Sequence, residues 1–121
     1  MITLNQGESS PYLSINSKEH KMVLKGNSFV SNPSIFFKEI MEWETAFKVA
    51  EGKKFEIEIN MGYFSTSNIQ FFNGFFKKFH NSNNGKIQIT FFLDKEEEED
   101  LEETMFSLLY NTGISERIEY I

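Results

Sequence analysis

Cysteine is absent from this 121-residue chain, and proline and histidine are scarce at two residues each. Without cysteine there is no disulfide and no thiolate metal site, which fits a reducing compartment. No apolar run approaches the roughly 18 residues that a membrane-spanning helix needs. The opening MITLNQGESS lacks a basic segment followed by an apolar one, so neither a secretory signal nor membrane insertion is expected. The expected location is the cytoplasm. Clusters of positive charge are also missing: 12 Lys and Arg stand against 18 Asp and Glu, for a net charge of −6. Nucleic acid is therefore not an expected partner, because holding a phosphate backbone takes clustered cations.

Sequence patterns for chemistry are equally sparse. There is no Gly-x-Ser-x-Gly elbow, phosphate-binding loop or dinucleotide fingerprint. His20 and His80 stand alone, with no second ligand at metal-binding spacing, and read as surface residues. The acidic run DKEEEED, Asp94 to Asp100, has no mid-loop glycine and so does not form an EF-hand. It reads as a solvated helix start, where carboxylates interact favourably with the helix dipole. No metal, cofactor or catalytic residue is expected, and the chain is not read as an enzyme.

Apolar material, by contrast, is plentiful: 40% of residues are hydrophobic and 14 are phenylalanine. That is enough for one packed core, and the length suits a single domain over 1–121. YLSIN and HKMVLKG read as two strands joined by SKE. Phe36, Ile40, Trp43 and Phe47 then recur at helical spacing, with Asn32 as N-cap, Pro33 in the first helical position and Gly52 closing the helix. In KFEIEINM, Phe55, Ile57, Ile59 and Met61 alternate with polar residues, as in a strand with one buried face. Ile69, Phe72, Phe76 and Phe79 mark a second helix, and Phe71 falls about 100° from the centre of that stripe. KIQITFFL is another alternating strand. A third helix carries Leu101, Met105, Leu108 and Leu109 and stops near Gly113, and RIEYI is a last short strand.

The order β-β-α-β-α-β-α-β implies an α/β fold whose parallel neighbours are joined by right-handed crossovers. Strands with a polar second face are not covered on both sides. A mixed, mostly parallel sheet with its helices mainly on one face is therefore expected.

At the junction of the third predicted strand and the second helix lies YFSTSN, residues 63–68, with three consecutive hydroxyls at Ser65, Thr66 and Ser67. One hydroxyl suffices to cap a helix. The same place also suits a phosphate, which free first-turn amides and the positive dipole end can receive. On the residues alone capping is the favoured reading. Phe64 and Phe71 fit neither neighbouring pattern cleanly, which makes a docking surface beside the hydroxyls credible.

Taken together, these pieces resemble the SiaC-type regulatory phosphoproteins of bacteria. That family has a Ser-Pro or Thr-Pro lead into its first strand, a Gly-x-Ser-Phe or Gly-x-Ser-Tyr segment before a proline-containing helix start, a helix tryptophan and a Tyr-Phe-Asn-Thr-Ser-Ser junction. Here the matching residues are Ser10-Pro11, GNSFVSNPSIFF from Gly26, Trp43 and YFSTSN. An acidic stretch after the penultimate strand also matches.

The resemblance implies a phosphorylation-controlled partner switch. A kinase of histidine-kinase-like fold phosphorylates the junction threonine, a PP2C-type phosphatase reverses this, and the unphosphorylated protein activates a diguanylate cyclase, raising cyclic di-GMP and promoting biofilm. By that resemblance Thr66 is the acceptor, with Ser65 or Ser67 as alternatives, and Tyr63, Phe64, Ser65, Ser67 and Asn68 are expected partner contacts; Phe71, from its place off the apolar stripe, is expected to join them. Two positions depart from the family pattern: Ser65 replaces its asparagine and Asn68 its second serine. The element order is also similar to that of STAS-type anti-sigma-factor antagonists, which are the alternative reading. A small ligand-binding or catalytic α/β domain is the alternative from another class.

Overall fold

The computed structural model describes residues 1–121, apart from the side chain of Glu98. Its strands are β1 (Ile2–Leu4), β2 (Tyr12–Asn16), β3 (Lys21–Ser28), β4 (Phe55–Phe64), β5 (Ile87–Leu93) and β6 (Ser115–Tyr120). Its helices are α1 (Pro33–Phe36), α2 (Lys38–Ala46), α3 (Thr66–Ser82) and α4 (Glu98–Leu109), the last preceded by a 3-10 turn over Lys95–Glu97. All six strands form one sheet in sequence order. β1, β2 and β3 pair antiparallel, and β3 through β6 pair parallel.

Sequential parallel strands joined by right-handed crossovers bring every connecting helix to the same side. Accordingly α1 packs beside α3 and α3 beside α4, with the core between this layer and the sheet. Leu13, Ile15, Met22, Leu24, Ile57, Ile59, Ile89 and Phe91 point into that core. The opposite sheet face carries Lys21, Lys25, Glu56, Glu58, Gln88 and Arg117. The mixed sheet with helices on one face is thus the expected architecture, and the alternation of β4 and β5 is its cause.

Four details differ from the sequence reading. β1 was not expected; it is three residues long and pairs with β2 through Ile2, Thr3 and Leu4. The first predicted helix is two pieces, because Phe37 leaves helical geometry at φ −98° and ψ 22°. That break changes the helical phase, so Phe37 is fully buried and Phe36 is 44% exposed. The helix also ends at Ala46 rather than Gly52, with Phe47 extended.

The amides that follow are held by side chains: Val49 N–H donates to Asn83 Oδ1 at 2.7 Å and Ala50 N–H to His20 Nε2 at 3.0 Å. Finally, the histidines are half-buried rather than surface residues. His20 lies edge-on to Phe47 with centroids 5.3 Å apart, and burial lowers the pKa of His80. Trp43 packs against the core, its ring among Phe47, Phe55 and Phe79. Its indole N–H donates to Ser17 Oγ at 2.9 Å.

Candidate functional site at the strand–helix junction

β3 and β4 run side by side until a register shift between Gly26 and Ser28. Gly62 makes the close approach possible, since a Cβ there would lie 2.5 Å from the Gly26 carbonyl carbon and oxygen. Past the shift the ladder continues through Ser65, whose N–H donates to the Ser28 carbonyl at 3.0 Å. Val30 is then left buried with backbone groups that need partners.

Asn68 supplies those partners. Its Oδ1 accepts from Val30 N–H at 3.3 Å and its Nδ2 donates to the Val30 carbonyl at 3.0 Å, so the carboxamide pairs with Val30 as a neighbouring peptide would. The same Oδ1 accepts from the buried Ser28 hydroxyl at 2.6 Å. Nδ2 also points at Ser65 Oγ, 2.9 Å away, and at Ser67 Oγ, 3.3 Å away.

This arrangement sorts the three hydroxyls. Ser65 holds the N-cap position, yet its hydroxyl makes no capping bond and serves Asn68 instead. Ser67 Oγ also approaches Asn68 and lies 3.5 Å from Ser65 Oγ. Thr66, first residue of α3, is exposed, and among the described residues its hydroxyl has no hydrogen-bond partner. The first-turn amides of α3 receive no side-chain cap from Ser65, which leaves the helix start open to an anion.

The remaining expected contacts divide. Tyr63 is 62% exposed, its N–H donates to Asn27 Oδ1 at 2.8 Å, and its ring lies 6.2 Å from that of Phe29. Phe64 is buried against Phe72, and Asn68 is fully buried, so neither side chain can touch a partner in this conformation. Phe71 is half-buried and stacks on Phe37 at 5.2 Å.

Phe29, 42% exposed, was missed. The signal was its place inside the GNSFV segment, whose polar residues turn out to hold the junction. On the other side of Thr66 a groove of about 590 Å³ runs between α3 and α4, with Ile69 in it and Asp100, Glu103, Phe106 and Tyr110 along it. Asn73 ties the helices together by donating to the carbonyls of Leu108 and Tyr110 at 3.0 and 2.9 Å.

The acidic run behaves as a helix start, with Asp94 Oδ1 accepting from Glu96 N–H at 3.0 Å. Among the described residues no three His, Cys, Asp or Glu side chains come together as a metal site. Among the described residues no helix is long and apolar enough to cross a membrane.

A family model described as SiaC family regulatory phosphoprotein matches residues 4–111. The chain belongs to the SiaC family. Structures of SiaC from Pseudomonas aeruginosa share its fold at low identity. One is 18% identical with a TM-score of 0.74, covering 99% of this chain and 98% of its own. The apo form is 17% identical with a TM-score of 0.77, covering 98% and 97%. SiaC in complex with the diguanylate cyclase SiaD, of which it is the activator, is 17% identical with a TM-score of 0.82, covering all of both chains. Among curated proteins no sequence matches significantly. As a SiaC-family member the chain is a regulatory phosphoprotein.

Proposed function

We propose that this protein is a partner switch controlled by phosphorylation of Thr66, and that its unphosphorylated form binds and activates a diguanylate cyclase. The observation that carries this reading is the state of the Thr66 hydroxyl: exposed, without a partner among the described residues, at an uncapped helix start and on the rim of a groove. Ser65 and Ser67 are poorer acceptors because both oxygens are engaged with Asn68.

A phosphate on Thr66 adds about −1.5 to −2 charges. It would stand near Asp100 and Glu103, and no Lys or Arg lines the groove to neutralise it. A partner covering the rim would therefore have to desolvate a dianion that has only the first-turn amides of α3, and no side-chain cation of the groove, to pair with, which is unfavourable. Release of the effector follows from that cost. Tyr63, Phe29, Phe106 and Tyr110 are the exposed aromatics that flank the site and provide contact area.

The same reading supplies the remaining components. The modifying enzyme is a Ser/Thr kinase of histidine-kinase-like fold, and a PP2C-type phosphatase reverses it. The chain acts in the cytoplasm as one domain over 1–121, without an activity of its own. One continuous sheet and one core cluster support the single domain. Phosphopeptide mapping of protein purified from its own cells, with and without phosphatase treatment, tests the assignment. The phosphate is expected on Thr66; a phosphate retained at full occupancy in the Thr66→Ala variant would refute it.

A further inference from the structure

β6 is the outermost strand beyond β5, and every residue from Ser115 to Tyr120 is exposed. The direction of its peptide groups follows from Ile121, whose N–H donates to the Leu93 carbonyl on β5 at 2.9 Å. Successive residues of a strand alternate in the side to which their backbone groups turn. Ser115, Arg117 and Glu119 therefore face β5, and Glu116 and Ile118 turn their N–H and C=O groups outward.

We propose that β6 pairs antiparallel with β6 of a second copy of this chain, about a two-fold axis at Ile118, joining the two sheets edge to edge. Three observations agree on that axis. The outward backbone groups of Ile118 can exchange both hydrogen bonds with Ile118 of the copy, as an antiparallel bonded pair requires. The same register sets Arg117 opposite Glu119 on both sides of the axis, in the unbonded pairs where side chains stand closest. Among the described residues neither Arg117 nor Glu119 has an ion-pair partner within one chain.

Neighbouring registers are unfavourable. An axis between two residues would oppose an outward-turned residue to one that faces β5, which an antiparallel ladder does not allow, and an axis at Arg117 or at Glu119 sets like charges against each other. Charges on a sheet edge usually discourage pairing; here they reject the wrong registers and favour one. On the helix-bearing face the axis brings together the two Ile118 side chains, each 39% exposed, beside Phe106 at 61%. Ile118 already borders an apolar crevice with Phe91, Met105 and Leu109. An interface built from the same patch on both partners closes on itself, so the assembly stops at the dimer.

Sedimentation velocity of the full chain over a micromolar concentration series tests this. The mass is expected to rise from 14.2 kDa toward twice that value. Arg117→Glu and Glu119→Arg should each weaken association by about tenfold or more, because each replaces two attractive pairs with two repulsive ones. The double variant should restore it. Ile118→Pro removes an outward N–H and leaves the β5 ladder alone, so it should give a monomer with the wild-type circular dichroism spectrum. A 14.2 kDa monomer at every concentration overturns the proposal. So does a dimer indifferent to both charge reversals.

Discussion

Replacing Asn68 with alanine should cost far more than its place in a surface-facing motif suggests. Asn68 is fully buried and is the hydrogen-bond partner of the Ser28 hydroxyl, also fully buried, and of both backbone groups of Val30. Alanine leaves these three groups unsatisfied, and a buried polar group without a partner costs about 1–3 kcal/mol. Ser65 and Ser67 lie nearer water and regain partners there, so they add little. Three such groups sum to about 3–9 kcal/mol, and water entering the space left by the carboxamide keeps the expected loss at the lower end, about 3–5 kcal/mol, a large fraction of the roughly 5–15 kcal/mol that holds a domain folded. At about 4 °C per kcal/mol for a chain of this size, the melting temperature should fall by roughly 12–20 °C.

Asn68→Asp separates the two halves of the carboxamide. It keeps the acceptor for Ser28 and Val30 N–H but faces the Val30 carbonyl with a second acceptor, so its loss at neutral pH should be of the same order. Urea unfolding with thermal melts followed by circular dichroism gives both quantities. A loss below about 1 kcal/mol for alanine, within the ordinary range for any substitution, would mean that the carboxamide does not organise the junction.

Other expected outcomes follow from the same structure. Phe37→Ala should cost about 3–5 kcal/mol in urea unfolding because the ring is fully buried, whereas Phe36→Ala, at 44% exposure, should cost under about 1 kcal/mol. Gly62→Ala should destabilise by about 1–3 kcal/mol, since its methyl group meets backbone at 2.5 Å and only a shift of β3 can relieve it. Burial lowers the pKa of His80 from 6.5, so protonation favours the unfolded chain. The contribution of His80 is complete above pH 6.5 and is lost as pH falls below it, and melts from neutral to acid pH should lose that slope in His80→Gln.

The sheet was legible because its strands alternate over long stretches: Phe55, Ile57, Ile59 and Met61 are all buried and the residues between them are not. That alternation, with a helix between each parallel pair, is sufficient to place the helices on one face. The first helix was less legible because periodicity carries phase only while the helix is unbroken. Phe37, with neither proline nor glycine beside it, gives no local signal of the break, and stacking on Phe71 and contact with Phe72 in the core decide its position.

At the site, the junction and its hydroxyls could be read from YFSTSN, but the roles of its residues could not. Asn68 looked like a contact and is an internal strut, because the need it meets arises at Val30, 38 residues away in sequence. Phe29 lies inside the GNSFV segment that the sequence marks, but its exposed place beside Tyr63 is not legible there, because the two rings come from segments far apart in sequence.

The most direct test of the switch is the binding of the diguanylate cyclase from the same cells to two preparations of this protein, one unmodified and one phosphorylated stoichiometrically on Thr66. Calorimetry should show the unmodified form binding, and cyclic di-GMP synthesis should rise with it. The phosphorylated form should bind at least about tenfold more weakly, the equivalent of 1.4 kcal/mol, and should leave the cyclase inactive. Equal affinity and equal activation by the two forms would contradict the account.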